Sequence, residues 1–179
     1  MERIRELSEK YGFTVIEDAS HAVGADYLNT KVGSCAFSDM AVFSFHPVKI
    51  ITTGEGGMVL TNNKDLYEQL ILLRSHDITR DPAKMTHEAD GPWYYQQITL
   101  GFNYRMTDIQ AVLGASQMTR LDAFVARRRE LAARYNALLK DFPLVTPDVM
   151  KGADPSWHIY IVRMVLVRSE RRSGRSLRR

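Results

Sequence analysis

A lysine and an aspartate each follow a short apolar run in this chain. Residues 41–45 (AVFSF) lead to Lys49, and residues 14–16 (TVI) lead to Asp18. Short runs of β-branched and apolar residues are typical of buried parallel strands, so both polar residues are expected near strand ends. A primary amine near a carboxylate is what pyridoxal 5'-phosphate (PLP) requires. The amine bonds to the cofactor's aldehyde carbon, and the carboxylate keeps the pyridine nitrogen protonated.

Each of these residues has a more ordinary interpretation when it is taken alone. A single lysine in a loop is usually a solvated side chain. An acidic pair that closes a strand, as Glu17 and Asp18 do, is commonly a helix cap or a metal ligand. Glu17 should point to the sheet face opposite that of Asp18, because neighbouring residues of a strand alternate. It is therefore the weaker of the two candidates.

Three short motifs surround the lysine and the aspartate. Residues 17–22 read EDASHA, residues 44–49 read SFHPVK, and residues 54–57 read GEGG. In this order the motifs resemble the DegT/DnrJ/EryC1/StrS family of PLP-dependent nucleotide-sugar aminotransferases, and the resemblance runs from about Met1 to Val162. It implies an α/β chain with the type I PLP-dependent aminotransferase fold. The chain would hold the C-terminal part of the large domain and the start of the small domain.

The resemblance also implies roles for individual residues. Lys49 would bind PLP covalently and later act as the base, and Asp18 would pair with the pyridinium nitrogen. His21 matches a position near the cofactor's ring hydroxyl, where a satisfied polar turn residue is the ordinary alternative. Ser44 matches a phosphate-binding hydroxyl, and a hydroxyl donor suits a phosphate oxygen.

Two candidates lie further along the chain. Residues 101–106 (GFNYRM) resemble a segment whose asparagine reaches the cofactor phosphate of the neighbouring subunit, so Asn103 implies a homodimer with shared active sites. Capping a turn is the ordinary alternative for Asn103. His158 matches a small-domain motif and is a candidate for contact with the nucleotide sugar, although a core histidine fits equally well. No metal site is predicted, because three other histidines lack helical i, i+4 spacing: His46, His76 and His87.

The branch of the family is suggested by residues 75–82, 91–95 and 101–106. They look most like enzymes that transfer an amino group from L-glutamate to C4 of a UDP-linked 4-keto-6-deoxy sugar, as in the pseudaminic acid pathway. An enzyme that makes 4-amino-4-deoxy-L-arabinose for lipid A modification is the runner-up. A same-fold dehydratase is disfavoured, since that chemistry replaces the lysine with histidine and Lys49 is intact.

Two alternatives from other classes stay open. Relatives carry a long N-terminal part with a phosphate-binding turn, so this chain resembles the middle of such an enzyme, and a catalytically silent fragment is one alternative. An unrelated α/β nucleotide-binding module is the other. It is weakened because the chain contains neither a GxGxxG nor a GxxxxGK(S/T) segment.

Composition bounds the partners and the compartment. The 179 residues carry a net charge of +3, but residues 163–179 hold seven Arg and one Glu, which leaves 17 basic and 20 acidic residues, a net of −3, in the rest. The short basic tail lacks the interleaved aromatic residues of a nucleic-acid arm, so no nucleic-acid partner is predicted. Cys35 is the single cysteine, and no run of 18 apolar residues occurs. These features favour a reducing cytoplasm and no membrane partner.

The apolar pattern predicts the following elements: helices at 2–10, 64–75 and from Thr107 onward, strands at 14–16, 41–45, 57–61 and 157–162, and an irregular stretch at 77–101. Thr107 to Gln110 reads as a capping box, and the basic run 127–129 within the long helix reads as a solvated face. The domain prediction is a large domain over 1–120, a connecting helix over 121–142, the start of the small domain over 143–166 and a disordered basic tail over 167–179.

Overall fold

The computed structural model describes residues 1–165, so the predictions for the basic tail lie outside the described residues. Its helices are α1 (Glu2–Tyr11), α2 (Lys64–Leu73), α3 (Asp108–Met118) and α4 (Leu121–Leu138). Its strands are β1 (Ile16–Asp18), β2 (Asp26–Tyr27), β3 (Thr30–Lys31), β4 (Met40–Ser44), β5 (Gly57–Leu60), β6 (Ile78–Thr79), β7 (Gln96–Gln97), β8 (Leu144–Val145), β9 (Ala153–Asp154) and β10 (Arg163–Met164), and a 3-10 turn spans Pro82–Lys84.

The central sheet has the order β1-β4-β5, and it positions the predicted site. Strands β1 and β4 are parallel, with Asp18 opposite Val42, and β5 is antiparallel to β4, with Gly57 opposite Ser44. Buried side chains pack against this sheet and its loops: Ala19, Val23, Phe43, Phe45 and Ile51. The α/β class and the parallel pairing of the two site-bearing strands are as predicted.

Local signals at the helix ends agree with the sequence. Helix α1 ends at Gly12, whose φ of 71° lies in the left-handed region and whose N–H donates to the Ser8 carbonyl at 2.7 Å. Helix α3 begins with the predicted capping box of Thr107 and Gln110. The capping side chains satisfy backbone N–H groups that have no partner in the first turn of a helix.

The long helical stretch predicted after Thr107 consists of two helices, because the chain breaks between α3 and α4. Arg120 has φ −112° and ψ 5°, outside helical values. The Thr119 hydroxyl donates to the Ser116 carbonyl at 2.8 Å. Such a bond lets a side chain compete with the helical backbone ladder, which explains the break in a sequence with continuous apolar periodicity. The second helix ends at Leu138 rather than at residue 142.

The strand predicted over 157–162 is also wrong. These residues are irregular, and the next strand, β10, pairs with β8 instead. Trp157 has a φ of 54°, which a strand cannot contain. The carbonyl groups of Trp157 and His158 accept hydrogen bonds from the Arg128 side chain instead of from a neighbouring strand.

A second small sheet, in the order β3-β2-β9, brings residues 153–154 to the N-terminal half of the chain. Asp154 lies opposite Asp26, and the Leu28 N–H donates to the Gly152 carbonyl at 2.7 Å. The segment that follows β9 therefore starts close to the turn after β1. Within residues 1–165, no helix has both the length and the apolar character needed to cross a membrane.

Candidate functional site

The predicted lysine lies on the loop over residues 45–56 that joins β4 to β5. Phe45 closes this loop, because its N–H donates to the Gly56 carbonyl at 2.8 Å and its carbonyl accepts from the Thr53 N–H at 3.0 Å. Ile51 is 1% exposed and anchors the loop in the core. The Thr52 N–H donates to Gln117 of α3 at 3.0 Å. Lys49 is half-buried. Hydrogen bonds at Phe45 and Thr52 fix the loop that carries it to the sheet end and to α3.

Asp18, the last residue of β1, is exposed and tightly hydrogen-bonded. Its Oδ1 accepts from the Ser20 N–H at 3.1 Å and from the Ser20 hydroxyl at 2.5 Å. These bonds are the main cause that lowers the pKa of Asp18, and the charges of His21 and Lys49 lower it further. The carboxylate therefore stays ionised at neutral pH. Ser20 was not singled out by sequence reasoning, although a serine two residues after an aspartate is a turn signal.

His21 and His158 meet beside this carboxylate although 137 positions separate them in the sequence. Their ring centroids are 4.4 Å apart, and the ring planes are inclined at 52°. Burial is the main cause that lowers the pKa of His158, and the charges of His21, Lys49 and Arg128 lower it further. The structure therefore brings four predicted site residues together: Asp18, His21, Lys49 and His158.

Ser44 lies on the same face of the sheet as Asp18. Val42 is opposite Asp18 in the parallel pair, and Ser44 follows it by two residues, so the side chains share a face. The Ser44 Oγ accepts from the His46 N–H at 3.4 Å, which leaves the hydroxyl proton available to another acceptor.

Glu17 lies on the other face, near Cys35. Burial is the main cause that raises the pKa of the Cys35 thiol, and the negative charge of Glu17 raises it further. This placement agrees with the alternation expected along β1. Glu17 is therefore well placed as a control residue for Asp18.

Asn103 lies on the segment over residues 101–106. It forms an isolated β-bridge with Ser75 and is exposed. Among residues 1–165, no hydrogen bond or ion pair joins it to Lys49, Asp18 or Ser44. Several large apolar side chains around it are exposed, with Leu100, Tyr104 and Ile109 at 81%, 74% and 85%.

A wide apolar cavity lies at the C-terminal end of the lysine loop. It measures about 1090 Å³ and is lined by β5, α2, the loop residues Glu55 and Gly56, and residues 102 and 104–106. Lys49, Asp18 and Ser44 are not among its lining residues. The cavity is therefore distinct from the cluster of polar residues that the sequence predicts for chemistry.

The polar cluster fits PLP in its chemical character. It presents a half-buried amine, an ionised carboxylate with a lowered pKa and a hydroxyl with an available proton, all near the carboxyl ends of two parallel strands. Open α/β sheets bind ligands at this edge. Within residues 1–165, no group of three or more His, Cys, Asp or Glu side chains is placed to hold a metal ion.

A sequence model for the DegT/DnrJ/EryC1/StrS aminotransferase family matches residues 1–176. The chain belongs to this family. It is 43% identical over 136 residues to the UDP-4-amino-4,6-dideoxy-N-acetyl-beta-L-altrosamine transaminase of Campylobacter jejuni, which covers 76% of this chain and 33% of that protein. The predicted family and fold are confirmed.

Solved structures agree with this membership. Helicobacter pylori PseC, an aminotransferase of pseudaminic acid biosynthesis, has a TM-score of 0.79 and 35% identity over 92% of this chain and 42% of its own. Spr1654 of Streptococcus pneumoniae, assigned as a sugar aminotransferase, is 26% identical in its PLP form, with a TM-score of 0.73 over 91% of this chain and 42% of its own. The PLP dependence of the family is as predicted. The chain spans about two fifths of the length of these relatives.

Proposed function

We propose that this protein is a PLP-dependent nucleotide-sugar aminotransferase that moves an amino group from L-glutamate to C4 of a UDP-linked 4-keto-6-deoxy sugar. The observation that carries the proposal is the pair of Lys49 and Asp18 beside two parallel strand ends, in a chain of this aminotransferase family. The substrate class is supported by the activities for which the Campylobacter and Helicobacter relatives are named. A cytoplasmic location, which the single cysteine favours, is part of the proposal.

Three residues would hold the cofactor. Lys49 would bond to it through Nζ, Asp18 would face its ring nitrogen, and the Ser44 hydroxyl would donate to a phosphate oxygen. When bound, PLP supplies an aldehyde carbon that accepts an amino group and a ring that withdraws electrons. Asp18 would keep the proton on the ring nitrogen, because its lowered pKa leaves it ionised.

Lys49 would also move the proton. Its amine would take the proton from Cα of glutamate and would return it in the second half of the reaction. The backbone hydrogen bonds of Phe45 and Thr53 hold the loop that carries Lys49. His21 and His158 border the space where the donor and the sugar would enter.

The substrate assignment is tested by a panel of amino acceptors. The assay uses the 179-residue chain and, in parallel, a hybrid in which this chain replaces the matched segment of the Campylobacter jejuni transaminase. We expect the UDP-linked 4-keto-6-deoxy sugar to be aminated with L-glutamate as donor. Preference for UDP-4-keto-L-arabinose would favour the runner-up, and amination of neither sugar by the two proteins would contradict the proposed function.

We also propose a homodimer in which Asn103 of one subunit completes the site of the other. The support is the match of residues 101–106 to the family segment, the exposure of Asn103 and the exposed apolar side chains around it. A homodimer of the Lys49→Ala variant and a homodimer of the Asn103→Ala variant should each lack aminotransferase activity. Mixing the two variants should restore activity, because one of the two sites in the mixed dimer would be intact.

The mixing experiment needs confirmed subunit exchange, for which differently tagged variants are purified together. The expected result is that each mixed dimer recovers the activity of one site, which is about half of the activity of a wild-type dimer. No recovery in verified mixed dimers would place Asn103 in the site of its own subunit or outside the site. The control is a mixture of Lys49→Ala with Asp18→Asn. If both residues serve the site of their own subunit, no site of the mixed dimer has an intact Asp18–Lys49 pair, so activity should not return.

A further inference from the structure

Two consecutive arginines of α4 bind the backbone of the segment that carries His158. Arg128 Nη1 donates to two carbonyl oxygens, at 3.0 Å and 3.1 Å, and Arg129 donates to two others, both at 3.2 Å. We call these contacts the arginine clamp, and its acceptors are the carbonyls of Trp157, His158, Pro155 and Asp154. The run predicted as a solvated face therefore contributes two of its three arginines to tertiary structure.

The clamped backbone has a conformation that is unfavourable by itself. Trp157 has a φ of 54°, a left-handed value that is unfavourable for a non-glycine residue. The Nδ1 atom of His158 is buried and has no hydrogen-bond partner among the described residues. A buried polar atom without a partner destabilises the fold. Other contacts must hold residues 157–158 in place.

Charge also opposes the position of the His158 ring. The ring lies 4.4 Å from that of His21, and Lys49 and Arg128 are close enough to lower its pKa below the ordinary value, after the larger effect of burial. A protonated His158 would be repelled by these groups. The position is therefore one that a neutral ring adopts when the backbone is fixed by other means.

We infer that Arg128 is a positioning residue whose two hydrogen bonds fix the Trp157–His158 backbone and so hold the His158 imidazole against His21, beside Lys49 and Asp18. Hydrogen bonds from a charged donor are stronger than those between neutral groups, so these two bonds oppose the strain at Trp157 and the unpartnered nitrogen of His158. Arg129 secures the start of the same segment, since it also forms an ion pair of 2.9 Å with Asp154. The catalytic meaning of this arrangement rests on the proposed function.

Arg127 provides a matched control. It precedes Arg128 on the same helix, but its guanidinium binds Glu130 on the exposed surface and contacts neither Trp157 nor His158 through a hydrogen bond among the described residues. Its removal changes the net charge of α4 as much as removal of Arg128 does. A difference between the two variants therefore reports the clamp rather than the charge of the helix.

The test measures the reactivity of His158 with diethyl pyrocarbonate in the 179-residue chain, without cofactor. Peptide mapping compares His158 with the exposed His46 at a mildly alkaline pH. We expect Arg128→Met to raise the relative rate at His158 about tenfold or more, since two hydrogen bonds of a charged group are lost. Arg127→Met should leave the rate unchanged.

Arg128→Lys separates position from charge. Lysine keeps the charge but lacks the planar group that reaches two carbonyls, so the clamp predicts a raised rate here as well. It also predicts that the pKa of His158, followed by NMR, rises toward its ordinary value as the ring leaves its buried position. If the lysine variant matches wild type in both measurements, the effect is electrostatic and the positioning role is overturned.

Two further results are decisive. If the circular dichroism spectrum shows that Arg128→Met is unfolded, the His158 rate and pKa of Arg128→Lys alone test the positioning role. Failure of wild-type chain to capture PLP, together with the expected His158 rates, would contradict the proposed function and leave the clamp in place. Normal capture of PLP with an unchanged His158 rate in both Arg128 variants would overturn the clamp and leave the proposed function in place.

Discussion

Lys49→Ala should abolish the covalent capture of PLP by this protein. Reduction with borohydride in the presence of PLP should fix the cofactor on the peptide that contains Lys49 in wild type, and no comparable label should remain in the variant. The physical reason is the position of the amine, which is half-buried on a loop tied down at Phe45 and Ile51 and lies close to the Asp18 carboxylate. We expect a loss of about a hundredfold, because a well-placed reacting group has a high effective concentration.

Lys31→Ala is the matched control for this experiment. Lys31 is largely exposed, and its amine is held in an ion pair of 2.8 Å with Asp26 of the small β3-β2-β9 sheet, whereas Lys49 lies on the loop that follows β4. Removal of the Lys31 amine should not change the amount of PLP label on the peptide that contains Lys49. Equal labelling of wild type and Lys49→Ala, or a dominant label on another lysine peptide, would contradict the assignment of Lys49 as the cofactor-binding residue.

Short-range signals made the site-bearing strands predictable. Apolar runs of β-branched residues located β1 and β4, and the alternation of side chains along a strand separated Asp18 from Glu17. The placement of Lys49 after β4 followed from the same run. The capping box of Thr107 and Gln110 could also be read directly, because its hydrogen bonds join residues three positions apart.

Contacts between distant residues were not predictable in the same way. The meeting of His21 with His158 depends on the path of the intervening chain, which no local pattern encodes. Arg128 and Arg129 look like surface residues in the sequence, and their carbonyl acceptors lie 25 to 30 positions away. The left-handed Trp157 was missed for a related reason, since side chains from elsewhere stabilise a conformation that tryptophan does not favour.

Asp18→Asn should preserve the binding of PLP but slow amino transfer from glutamate by about three orders of magnitude, or roughly 4 kcal/mol of activation free energy. An asparagine side chain has nearly the same shape but cannot keep a proton on the ring nitrogen, so the ring loses much of its ability to withdraw electrons. The measurement is the decay of the cofactor's visible band after L-glutamate is added. In wild type, the lowered pKa of Asp18 means that this function should persist as the pH falls below the ordinary range of a carboxyl group.

Glu17→Gln is the control that separates position from charge. It removes the same negative charge one residue away, but its side chain lies on the opposite face of β1, beside Cys35. The rate with glutamate should therefore change by less than about twofold, whereas Asp18→Asn loses nearly all of it. A loss of under about tenfold in Asp18→Asn, which is roughly 1.4 kcal/mol, would contradict the pairing of Asp18 with the ring nitrogen. A large loss in both variants would show that the net charge near the strand end matters more than contact with the ring, and Asp18 would then act at a distance.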